Sequence, residues 1–123
     1  MIQPVIQPVS TLIYVTTRFA AYHRWKDAPH EVAFLRNWHR HLFHVKVSLR
    51  VSHNQRELEF FMMQHSLILF VRRMFEEKKF ELSCEDIAQQ IAEFAQYGEG
   101  VLAEVEVSED GENGAILYFK GEG

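Results

Sequence analysis

The chain has 123 residues, 47% hydrophobic and 24% charged, which are the proportions of one ordinary globular domain. Its net charge of -4 leaves no basic field for nucleic acid, and no apolar run reaches membrane-spanning length. The single cysteine, Cys84, excludes an internal disulfide framework; with no basic stretch at Met1-Ile2-Gln3-Pro4, a cytoplasmic protein is expected.

The chain opens on a tandem tetrapeptide, Ile2-Gln3-Pro4-Val5 and Ile6-Gln7-Pro8-Val9. Prolines four apart forbid a regular helix, so residues 1–10 are expected as an extended arm, either loose or laid across a neighbouring subunit. Residues 11–123 form a single domain. Its first strand covers residues 11 to about 25, where β-branched and aromatic side chains dominate, and Lys26-Asp27-Ala28-Pro29-His30 breaks it. After an irregular stretch, residues 41–52 alternate, with Phe43, Val45, Val47, Leu49 and Val51 on one apolar face. Residues 57 to about 78 lack Gly and Pro and read as a helix with a wide apolar face. Opposite charges at helical spacing there, Arg72 with Glu76 and Arg73 with Glu77, suggest a solvated face with ion pairs.

Ser83 opens a second helix, with Asp86 three residues on in a near capping box, and Gly98 and Gly100 end it. Residues 101–109 alternate as a third strand, and Asp110-Gly111-Glu112-Asn113-Gly114 is strong turn chemistry. Residues 115–120 supply a fourth strand. The order is ββααββ, an α+β domain.

The histidines carry the chemistry. Alternation places His39 and His41 on one face of a strand, and an adjacent strand can bring His23, at the end of Phe19-Ala20-Ala21-Tyr22-His23, beside them. Three neutral imidazoles with a fourth position open form the ligand set of a catalytic zinc ion. Strand parity turns His44 to the other face. His30 and His53 fall in turn-like segments and are expected in solvent, while His65 reads as a helix-packing residue. Cys84, at a helix start, is expected either to fill the first turn or to have a lowered pKa with some reactivity.

With these motifs in place, the sequence resembles the 6-pyruvoyltetrahydropterin synthase family, which includes the 6-carboxytetrahydropterin synthases of the queuosine pathway. The family's Phe-x-Ala-x-His stands here as Phe19, Ala21 and His23, and its His-x-His as His39-Arg40-His41. Its helix-start pattern is similar to Ser83-Cys84-Glu85-Asp86-Ile87-Ala88. Its third strand ends in a glutamate that grips the pterin ring, and Val107-Ser108-Glu109 stands in the matching place. The resemblance spans residues 12 to about 120. It implies a tunnelling fold, in which a four-stranded antiparallel sheet carries two helices on one face. Such sheets join edge to edge into an oligomeric barrel, so a homo-oligomer, trimer or hexamer, is expected. It also implies Zn2+ at His23, His39 and His41, and a pterin or purine-like ligand held by Glu109.

Two family features are absent. No cysteine lies in residues 31–38, ahead of the histidine pair, and no Asp-His pair lies between the helices. Glu31 is the nearest carboxylate to replace the thiol. The resemblance therefore implies a lyase acting on dihydroneopterin triphosphate or a related pterin, in tetrahydropterin or 7-deazaguanine biosynthesis. The alternative is a non-catalytic pterin- or purine-binding module that keeps the metal and ring anchor without the proton-transfer groups.

Overall fold

In the computed structural model, residues 3–120 are described. β1 (Thr11–His23) and β2 (His39–Val51) pair antiparallel along their whole lengths, from Thr11 opposite Val51 to His23 opposite His39. The ladder is long because both segments are rich in β-branched and aromatic residues and hold no glycine or proline. A short 3-10 helix, His30–Arg36, joins them. α1 (Phe60–Met74) follows, then β3 (Lys79–Phe80), α2 (Cys84–Ala95), β4 (Val101–Glu109) and β5 (Asn113–Tyr118).

The strands lie in the order β3-β1-β2-β4-β5. The sheet thus has five strands where four were expected, because the two-residue β3 adds in parallel beside Tyr22 and His23. The other pairings are antiparallel: β4 and β5 form a tight hairpin, while β2 meets β4 only after the chain has passed through both helices. Within the β4–β5 hairpin a Cβ on Gly114 would stand 2.1 Å from the Val107 carbonyl oxygen, so only glycine lets the strands approach there.

One face of the sheet is covered. Phe19, Phe43, Val45, Val47, Val105 and Val107 meet Leu67 and Val71 of α1 and Ile87 and Ile91 of α2 in a single core. Phe19 stacks on Phe43 and on Phe75, each with ring centroids 5.2 Å apart. The opposite face carries Tyr14, Thr16, Arg18, Ile116 and Tyr118, all exposed, with His44 on the same parity.

α1 starts three residues later than its composition suggests. Glu59 is the N-cap and its carboxylate accepts from the Met62 amide, while residues 52–59 form bends fixed by Ser52 and Glu57. The helix stops at Met74, and Glu77 takes a left-handed φ of 57° that turns the chain into β3. The ion pairs expected at helical spacing are therefore replaced. Glu76 accepts from the Ala20 amide at 2.8 Å, and Glu77 pairs with Arg40 at 2.8 Å. His65 faces solvent rather than packing, as do His30 and His53 in their expected positions.

α2 has the full capping box: the Ser83 hydroxyl accepts from the Asp86 amide at 3.0 Å, and the Asp86 carboxylate accepts from the Ser83 amide. Of the N-terminal arm, residues 3–10 are exposed and outside any helix or strand, while Met1 and Ile2 lie outside the described residues. No helix among the described residues is long and apolar enough to cross a membrane.

Candidate metal centre and adjoining cavity

The histidine cluster is a product of strand register. β1 ends at His23 directly opposite His39, and His41 lies two residues further along β2 on the same face. That face is the covered one, continuous with Phe43 and Phe19. The His23 and His41 rings stand edge-on to Phe43, at centroid distances of 5.2 and 5.8 Å, so the aromatic core forms the floor of the cluster. One ligand atom from each of His23, His39 and His41 lies within 4.8 Å of the other two.

The outer nitrogens settle which atoms point inward. His23 Nδ1 is 3.2 Å from the Leu82 carbonyl, His39 Nδ1 is 2.8 Å from the Asn37 carbonyl, and His41 Nδ1 is 2.7 Å from Asp110 Oδ2. Carbonyl and carboxylate oxygens only accept, so each Nδ1 carries a proton and, in the neutral ring, each Nε2 presents a lone pair. Among the described residues, His23 Nε2 and His39 Nε2 are buried without a hydrogen-bond partner. Metal-ligating histidines characteristically donate their other ring nitrogen in this way, which fixes the tautomer and the ring orientation.

Glu109 completes the electrostatics. Its Oε2 is 3.1 Å from His23 Nε2 and its Oε1 is 3.7 Å from His41 Nε2. The 3.1 Å contact lacks hydrogen-bond geometry, consistent with an Nε2 that has no proton to give. Two lone-pair-bearing groups so placed repel unless a positive charge lies near them. A proton is disfavoured because burial holds the His23 imidazole below its usual 6.5, against the opposing pull of the Leu82 carbonyl and Glu109. The donor set, three imidazole nitrogens, fits a divalent zinc ion with a fourth position open.

A cavity of about 530 Å³ opens beside the cluster, lined by His23, His39, Glu109, Trp25, Leu35 and the start of α2 from Ser83 to Asp86, among others. That volume is in the range of small-molecule sites. Glu109 therefore shares one chain and one cavity with His23 and His39. Glu31 does not reach it: the residue is exposed in the first turn of the 3-10 helix and is not part of the cavity wall. His44 points to the bare face, as parity requires.

Cys84 is buried in the first turn of α2, in line with one of its two expectations and against the other, a lowered pKa. It is 8% exposed, and its thiol is pushed up to about 12 by burial, with Glu109 and Glu85 adding to the effect. The expected lowering by a helix start is overturned, because desolvation and two carboxylates outweigh the backbone dipole. Glu85, part of the same helix start, also lines the cavity. The signal for both lay in the short Phe80–Leu82 link, which ties the start of α2 to His23 through the Leu82 carbonyl.

No family model and no curated protein matches the chain by sequence. Among solved structures, the fold is similar to 6-pyruvoyl tetrahydropterin synthase of Caenorhabditis elegans, with a TM-score of 0.71 at 14% identity over 94% of this chain and 100% of that one. It is also similar to an uncharacterized protein of Wolinella succinogenes, with a TM-score of 0.76 at 14% identity over 92% of this chain and 100% of that one. At this identity the likeness is one of architecture: the chain has the α+β tunnelling fold.

Proposed function

We propose that this chain is a zinc-dependent pterin synthase-like protein, a carbon–oxygen lyase acting on dihydroneopterin triphosphate or a related pterin. The product would serve tetrahydropterin or 7-deazaguanine (queuosine) biosynthesis in the cytoplasm. The observation that carries the reading is the convergence of three histidines whose Nδ1 atoms are all engaged and of which two Nε2 atoms are buried and unpartnered, beside a carboxylate and a ligand-sized cavity.

His23, His39 and His41 would hold the metal through Nε2. A zinc ion there supplies Lewis acidity toward substrate hydroxyl and carbonyl oxygens. Glu109 Oε1 and Oε2 accept two N–H groups from the guanidine-like edge of a pterin, the pairing that a carboxylate makes best. The apolar walls of Trp25 and Leu35 exclude water around the flat ring. With Glu31 in solvent, proton movement falls to water or to a wall carboxylate such as Glu85. The two outer strands leave open sheet edges, which supports assembly into a trimer or hexamer by edge pairing.

A second reading has its own observation. The one thiol in the cavity stays protonated through neutral pH, and the expected replacement base is absent from the wall. These favour a non-catalytic module that binds a pterin or purine-like ring without turnover.

The test begins with metal analysis of protein purified without chelators, beside a His39→Ala/His41→Ala double variant. About one zinc per chain, lost in the variant, is expected. Zinc-loaded protein is then given dihydroneopterin triphosphate. Turnover supports the lyase, and tight binding without turnover supports the module. Absence of both metal and pterin binding refutes the two readings together. Glu109→Gln should weaken pterin binding roughly 10- to 100-fold and keep the zinc, since one charged pairing is lost.

A further inference from the structure

Asp110 stands immediately after Glu109, at the turn that leaves β4, and its backbone occupies the left-handed region at φ 56°. Aspartate tolerates that conformation better than most residues, but it is still sparsely populated. The chain holds it there with three contacts to β2. The Asp110 amide donates to the Leu42 carbonyl at 2.8 Å, Oδ1 accepts from the Leu42 amide at 2.9 Å, and Oδ2 accepts from His41 Nδ1 at 2.7 Å. The residue thus clamps the strand at Leu42 and the imidazole at His41 with the two oxygens of one carboxylate. His23 and His39 donate instead to backbone carbonyls, which carry no full charge.

We propose that Asp110 is a positioning residue of the metal centre, a carboxylate that locks the His41 tautomer and aims its Nε2 at the ion. The inference rests on the zinc reading and deepens it. Its chemical basis is specific to a carboxylate. Two donors, the Leu42 N–H and the His41 Nδ1–H, each need an acceptor, and Asp110 has one oxygen for each. Asparagine has one acceptor oxygen and one NH2 group, so it must set a donor against a donor at one of the two positions. A carboxylate that accepts from the far ring nitrogen of a metal-ligating histidine also fixes the ring's orientation and generally tightens its hold on a cation. Asp110 is not part of the cavity wall and would act on the centre through His41.

The full-length protein is titrated with zinc against a chelator of known affinity, and separately with Co2+ to read the ligand-field absorption of the site. The wild type is compared with Asp110→Asn and Asp110→Gly, the latter relieving the left-handed backbone while removing the carboxylate. Both variants should bind zinc about 10- to 100-fold more weakly, with an altered Co2+ spectrum. In a His41→Ala background, Asp110→Asn should weaken zinc no further. Each protein is also melted metal-free in EDTA. Zinc affinity within threefold of wild type in both variants, or an equal loss with and without His41, overturns the inference and leaves the zinc reading standing. A fall in metal-free melting temperature with unchanged affinity and an unchanged Co2+ spectrum assigns Asp110 to the turn alone and also overturns it. A wild type that binds no zinc refutes the zinc reading and this inference together.

Discussion

Burial gives Cys84 a chemistry opposite to that of a reactive helix-start thiol. Its ionised form would face Glu109 and Glu85 with little water, so the folded thiol titrates near 12 against an ordinary 9.0. The group is essentially neutral in both folded and unfolded chains well below pH 9. Above that, only the unfolded chain loses its proton, so stability falls as pH rises from 9 toward 12. At pH 8 the native thiol should react with a maleimide or disulfide reagent at least tenfold more slowly than the same thiol in denaturant, since reaction runs through the thiolate. Equal rates in both states would refute this account. The histidine trio was legible because alternation in strands has a period of two, which fixes His39 and His41 from spacing alone. The contacts of Glu109 and Asp110 were not, because they depend on the pairing of β2 with β4, which no local pattern records.

Element boundaries moved where side chains compete with backbone. Residues 57–59 look helical by composition, yet Glu57 is spent on Ser52 and Glu59 on the Met62 amide, so the helix begins only at Phe60. β3 was invisible, since two residues carry no periodicity, and it exists because Tyr22 and His23 need edge partners. The two helices and four longer strands were readable from glycines, caps and alternation. The β4–β5 hairpin bears the sharpest constraint. Gly114→Ala would place a methyl 2.1 Å from the Val107 carbonyl oxygen and 2.6 Å from the Ser108 Cα, contacts that backbone must yield to. A fall in melting temperature of roughly 4–12 °C is expected by thermal denaturation, the range of a 1–3 kcal/mol overpacking defect. Because the same hairpin carries Glu109 and Asp110, metal affinity should fall with it.

At the scale of the molecule, one covered face and two open edges define what remains to be satisfied. Among the described residues no strand pairs with the outer side of β5, and none with the outer side of β1 ahead of Tyr22. Exposed β-edges are normally paired or blunted, and this sheet has Ile116 and Tyr118 exposed on the strand at one of them. Sedimentation should therefore give a mass three or six times the 14.5 kDa chain. A monomer at micromolar concentration would count against edge pairing.

The thirteen-residue ladder of β1 on β2 makes the centre a matter of odd and even. The large apolar side chains from Phe43 to Val51 hold the strand in frame, so an extra residue placed between His41 and Leu42 cannot slide them. It would instead rotate His39 and His41 to the bare side of the sheet and bring their neighbours Arg40 and the inserted residue over the aromatic floor. The domain would keep its helices and most of its core while metal binding was switched off outright. Metal chemistry on this scaffold is thus a reading-frame property, gained or lost by a single codon while the architecture stays.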